Sequence, residues 1–98
     1  MTPFLHLHNV SDPEGLNSYC TRRLGMYLSD PSIVNNVYCK ISRCPRQSSM
    51  YTCYIAAQMV DDSVIDTEVH HFFHHKAFDQ ALRNMVKKLP LQGLDIAS

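Results

Sequence analysis

The 98-residue chain carries nine Lys+Arg and nine Asp+Glu, a formal net charge of zero, with six His, four Cys and no Trp. That length suits one domain with a modest core, burying roughly 65% of the unfolded surface, and a hydrophobic share of 45% excludes wholesale disorder. No apolar run approaches the ~18–20 residues of a membrane span and no basic-then-apolar leader follows Met1, so a soluble, cytoplasmic protein with no membrane partner is expected, and the zero balance argues against a generic polyanion binder.

Phe4-Leu5-His6-Leu7-His8 alternates, with Leu5 and Leu7 on one face, and predicts a first strand. Ser11-Asp12-Pro13-Glu14 supplies a helix start, with Ser11 and Glu14 spaced as a capping box and an early Pro. Behind it Leu16, Tyr19, Cys20, Leu24, Tyr27 and Leu28 recur at three- and four-residue steps, an amphipathic helix ending near Ser29-Asp30-Pro31. Ile33 to Ser42 predicts a second strand, with Val37, Cys39 and Ile41 inward. A polar, basic turn from Arg43 to Ser49 leads to a third strand, Tyr51 to Val60, with Cys53, Ile55, Ala57 and Met59 on one side. Asp61-Asp62-Ser63 makes a tight connection to a fourth strand, Val64 to Phe72. From about Lys76 the apolar period lengthens, and Ala77, Phe78, Ala81, Leu82, Met85, Val86 and Leu89 form a helical stripe that Pro90 ends.

The order strand, helix, three strands, helix predicts an α+β fold. It is a β-α-β-β-β-α two-layer sandwich in which both helices cover one face of a four-stranded sheet. Strands one and two are expected to be parallel neighbours, because the connection between them holds a helix. Residues 1–90 form the single domain and 91–98 a short C-terminal tail.

Net charge conceals distribution. Acids gather at the first helix cap (Asp12, Glu14) and around the second hairpin (Asp61, Asp62, Asp66, Glu68). Bases lie on helix one (Arg22, Arg23), near the first hairpin (Lys40, Arg43, Arg46) and on helix two (Lys76, Arg83, Lys87, Lys88). Two helices side by side would merge their outer surfaces into a basic stripe suited to phosphates. On the charge map alone, Arg22, Arg83 and Lys88 are candidate RNA contacts. The competing reading is a solvated helix face with pairs such as Asp79 and Arg83 at i, i+4.

Cys20, Cys39, Cys44 and Cys53 lack CxxC spacing, and three of them lie in periodic apolar segments, so they read as small buried hydrophobes rather than disulfide or zinc ligands. His70, His71, His74 and His75 would give two i, i+4 pairs if helical, a spacing that can hold a metal, but no acid or Cys completes the set. No nucleophile elbow, phosphate loop or HExxH is present, and no catalytic role or cofactor is expected.

Leu16-Asn17-Ser18-Tyr19-Cys20 followed by Arg23-Leu24 is similar to the Leu-Arg-Asp-Tyr-apolar run and later basic-Leu pair of the short ribosome hibernation-promoting factor and ribosome-associated inhibitor family, also called sigma-54 modulation proteins. Ala77-Phe78-Asp79 resembles that family's Ala-Ile-Asp in helix two, and Tyr51 opens the third strand after a polar loop, as in the family. The resemblance runs from about Phe4 to Leu89 and rests on the order and spacing of these patterns. It implies a bacterial cytosolic protein that docks on the small ribosomal subunit in stationary phase or stress. Its helices would face rRNA in the channel for messenger and transfer RNA, blocking translation and favouring hibernating ribosomes without catalysis. By position, Arg23 matches the family's basic residue before Leu, and Lys87 a basic position late in helix two. The chain departs from the family at Thr21-Arg22, where acids are common, at the His70–His75 stretch, and at Pro90, where the family runs on into a Lys/Arg-rich tail.

The reading is therefore a ribosome-binding translation inhibitor. The alternative is a non-catalytic interaction module on the same fold, a homodimer formed through the sheet face carrying Tyr38, Tyr54 and Ala56.

Overall fold

Side chains alternating along the strands give the sheet one buried apolar face, and two amphipathic helices cover that face. The computed structural model describes residues 3–43 and 49–89. In chain order the elements are β1 (Phe4–His8), α1 (Pro13–Tyr27), β2 (Val34–Arg43), β3 (Tyr51–Met59), β4 (Val64–His71) and α2 (His74–Lys88). The sheet order is β1-β2-β3-β4, with β1 parallel to β2 and the other two pairs antiparallel. This is the expected α+β architecture. Strand ends fall within one residue of the sequence reading. The basic turn at 44–48, with Cys44 and Arg46, lies outside the described residues, as do Pro90 and the 91–98 tail.

Register explains the core. Val37 sits opposite Ala57, Cys39 opposite Ile55, and Ile41 opposite Cys53 across β2 and β3. All six are buried, because side chains at alternate positions share one face. Over them α1 lays Leu16, Cys20 and Leu24, and α2 lays Ala77, Phe78, Ala81, Leu82 and Met85. Each large apolar side chain buried this way contributes about 1.5–3 kcal/mol. Small residues at Cys39, Cys53, Ala57, Ala77 and Ala81 let the two layers approach closely, with Phe78 filling the space between them. Cys20, Cys39 and Cys53 are free thiols in this core. Burial pushes the Cys20 thiol well above its ordinary value, and Cys39 is raised by its hydrogen bond with Cys53 and then by burial.

Two helix starts differ from expectation. The α1 cap is Asp12, not Ser11: its side chain accepts a 3.2 Å hydrogen bond from the Gly15 amide, and Pro13 takes the first helical position. This shift puts Gly15 where a capping-box Glu would stand, so Glu14 does not close a box. Asp12 adopts φ 49°, a left-handed cap conformation, and a Cβ at position 15 would come within 2.2 Å of its carboxylate. A side chain at position 15 would therefore push the Asp12 carboxylate out of its present capping position. Helix α2 starts at His74 rather than near Lys76, because polar His74 and His75 hide its first turn from the apolar pattern.

That start also changes the histidine reading. His70 and His71 end β4 while His74 and His75 open α2, so the four do not form helical i, i+4 pairs. His70 Nδ1 meets Thr52 Oγ1 at 2.9 Å, whereas His74 packs edge-on against Tyr51 at 5.3 Å and its Nε2 lies 3.3 Å from Ser11 Oγ. Among the described residues no three His, Cys, Asp or Glu side chains gather as a metal site. No described helix is long and apolar enough to cross a membrane.

Candidate nucleic-acid interface

The two helices run side by side in the same direction. Ser11, just before α1, meets His74 at the start of α2, Tyr19 meets Phe78 and Asp79, and Arg23 and Tyr27 lie beside Leu82, Arg83, Val86 and Lys87. The seam is closed at Tyr19 and opens beyond it into a surface groove of about 470 Å³ lined by Arg23, Tyr27, Asp79, Leu82, Arg83, Val86 and Lys87.

Arg23 enters the groove held between two rings of its own helix. Tyr19 and Tyr27 are one turn before and after it, and its guanidinium lies 5.3 Å and 5.9 Å from their ring centroids. Contacts of this kind are worth about 0.5–1 kcal/mol at exposed sites and restrict the guanidinium without neutralising it. Its Nε is shielded from solvent with no hydrogen-bond partner, while Asp79 accepts a 2.7 Å hydrogen bond from the Tyr19 hydroxyl. That hydroxyl is raised above its ordinary pKa, first by burial and then by the Asp79 hydrogen bond, with Arg23 pulling the other way. Across the groove Arg83 and Lys87, one turn apart on α2, are both exposed. Three cations thus converge on an open seam with one carboxylate at its closed end. Such an arrangement can hold an anionic, chain-like ligand.

Of the five residues singled out in the sequence, Arg23, Arg83 and Lys87 are brought together. Arg22 is exposed on α1 but does not line the groove. Lys88 turns towards the β3–β4 hairpin, where its Nζ donates to the Asp66 carbonyl and it lines a separate cleft with Ser32, Ile33 and Ile65. Sequence reasoning missed the Tyr19–Arg23–Tyr27 sandwich, although its signal is present as an i, i+4, i+8 spacing. It mapped Lys76 among the helix-two bases without making it a candidate contact. At about 100° per residue, Lys76, Arg83 and Lys87 fall within roughly 20° of one line along α2, and all three are exposed.

On the opposite sheet face Phe4 stacks on Tyr38 at 5.6 Å, and Tyr38 meets Tyr54 at 6.2 Å. The Tyr54 hydroxyl donates to Asp66 at 3.0 Å, which raises its pKa.

No family profile and no curated protein matches the sequence. Solved structures do match the fold. A ribosomal subunit interface protein from Coxiella burnetii superposes with a TM-score of 0.71 at 10% identity, over 88% of this chain and 92% of that one. The N-terminal domain of Thermus thermophilus Protein Y gives 0.68 at 13% identity, over 90% and 94%. At such identities the likeness is one of backbone: the chain has the fold of a ribosomal subunit interface protein, the fold its sequence resemblance implies.

Proposed function

We propose that this protein is a ribosome-associated translation inhibitor that docks on the small ribosomal subunit, with Arg23, Arg83 and Lys87 gripping rRNA phosphates along the seam between α1 and α2. The single observation that supports this most is the convergence of those three cations on an open groove, on a fold shared with a ribosomal subunit interface protein. The protein acts by occupancy: it fills the channel used by messenger and transfer RNA and favours hibernating ribosomes under stress, without chemistry. Arg22 and Lys88, off the groove, are secondary contacts on this reading. With zero net charge there is little long-range attraction, so the grip depends on local geometry. The test is co-sedimentation with isolated small subunits at moderate salt. The folded protein is expected to pellet with them; folded protein left in the supernatant would overturn the proposal.

The aromatic row Phe4–Tyr38–Tyr54 favours a second reading, in which the uncovered sheet face joins two copies. Salt-insensitive dimers in sedimentation equilibrium, without subunit binding, would support it in place of the first.

A further inference from the structure

The four-His stretch that the docking groove leaves unused encloses an aromatic pair. Phe72 and Phe73, at the junction of β4 and α2, are 60% and 56% exposed. Two adjacent phenylalanines left this open are a large apolar surface outside the core, which Phe78 and its buried neighbours close without them. The surroundings of Phe73 are two imidazole rings and one ammonium group. Phe73 lies 5.8 Å from the His71 ring and 6.2 Å from the His75 ring, and Lys76 Nζ stands 5.9 Å from its centroid. The first turn of α2 carries no acidic residue to repel a phosphate. Lys76 is also the first member of the line that continues through Arg83 to Lys87, about 16 Å further along the helix.

We propose that Phe72 and Phe73, with Lys76, form a stacking platform for unpaired nucleobases at one end of the cationic line on α2. Exposed aromatic faces beside cations accept any base, because every base has a π-face, and Lys76 supplies the neighbouring phosphate contact. The occupant is single-stranded RNA: a duplex keeps its bases stacked on one another and offers the rings nothing. This inference rests on the RNA-docking reading, and extends it from phosphate contact to base contact at a separate place.

The experiment measures fluorescence anisotropy of a labelled single-stranded RNA twelve-mer and of the same sequence as a duplex, across a salt series. The wild-type protein is expected to prefer the single strand. The double variant Phe72→Ala/Phe73→Ala is expected to lose about tenfold or more in single-strand affinity, at every salt concentration, with its salt dependence unchanged. Phe73→Tyr keeps binding close to wild type, because the ring face is retained. The Ala variant's circular dichroism and urea midpoint are expected to match the wild type, since these exposed positions leave the fold intact. Equal loss on duplex and single strand, no loss at all, or no wild-type binding to the single strand would each overturn the platform. The last result together with small-subunit co-sedimentation would leave the docking reading standing, whereas single-strand binding without co-sedimentation would do the reverse.

Discussion

At the scale of single residues, geometry separates side chains that look alike in the sequence. Arg22 and Arg23 are neighbours, yet only Arg23 is gripped by Tyr19 and Tyr27 and delivered to the seam. His74 is a second case of a side chain fixed by its surroundings. Its imidazole is held below its ordinary pKa, first by burial and then by the charge of His75, while Asp12 pulls it up. A basic group depressed in the fold is protonated more readily in the unfolded chain. Its contribution is therefore complete above the ordinary value of about 6.5 and is lost as the pH falls through it towards the folded value. The urea midpoint is expected to fall between about pH 7 and pH 5, and to fall less in His74→Gln. An unchanged pH profile in the variant would contradict the burial of this ring. Capping gives a second test at this scale. Asp12→Ala removes the acceptor for the Gly15 amide and is expected to cost about 1 kcal/mol in chemical denaturation, with Asp12→Asn nearly neutral.

At the scale of elements, the period of the apolar residues revealed the type and order of all six, because each buries only one face. The helix starts were less legible. The cap at Asp12 was obscured by Ser11, an equally good capping residue, until Pro13 fixed the first helical position. The start of α2 was hidden because its first turn is His74-His75-Lys76, polar residues that carry no core signal. The groove could not be read at all from one helix, since it depends on which turn of α1 lies beside which turn of α2. Phe78, fully buried, packs edge-on against Tyr19 of α1 at 5.9 Å and ties the helices together at that turn. Phe78→Ala is expected to cost about 3–5 kcal/mol in urea denaturation, and Phe78→Leu much less. A destabilisation below about 1 kcal/mol for the Ala variant would show that Phe78 does not hold the two layers together.

For the whole molecule, zero net charge coexists with a charge map that is far from uniform. Acids occupy the α1 cap and the β3–β4 hairpin, while Arg23, Arg83 and Lys87 converge between the helices and Lys76 continues their line on α2. The fold makes a local cationic track on a neutral protein, which suits a ligand met at close range over one that must be drawn from afar. The most direct measurement of this account is the salt dependence of binding to isolated small subunits. Removing one phosphate-binding cation should make the log–log slope shallower by roughly 0.7–0.9. Replacing Arg23, Arg83 and Lys87 together with Ala is expected to weaken binding and flatten the slope by roughly 2–3, while Arg22→Ala/Lys88→Ala changes it far less. A triple variant that binds with wild-type affinity and slope would contradict the account.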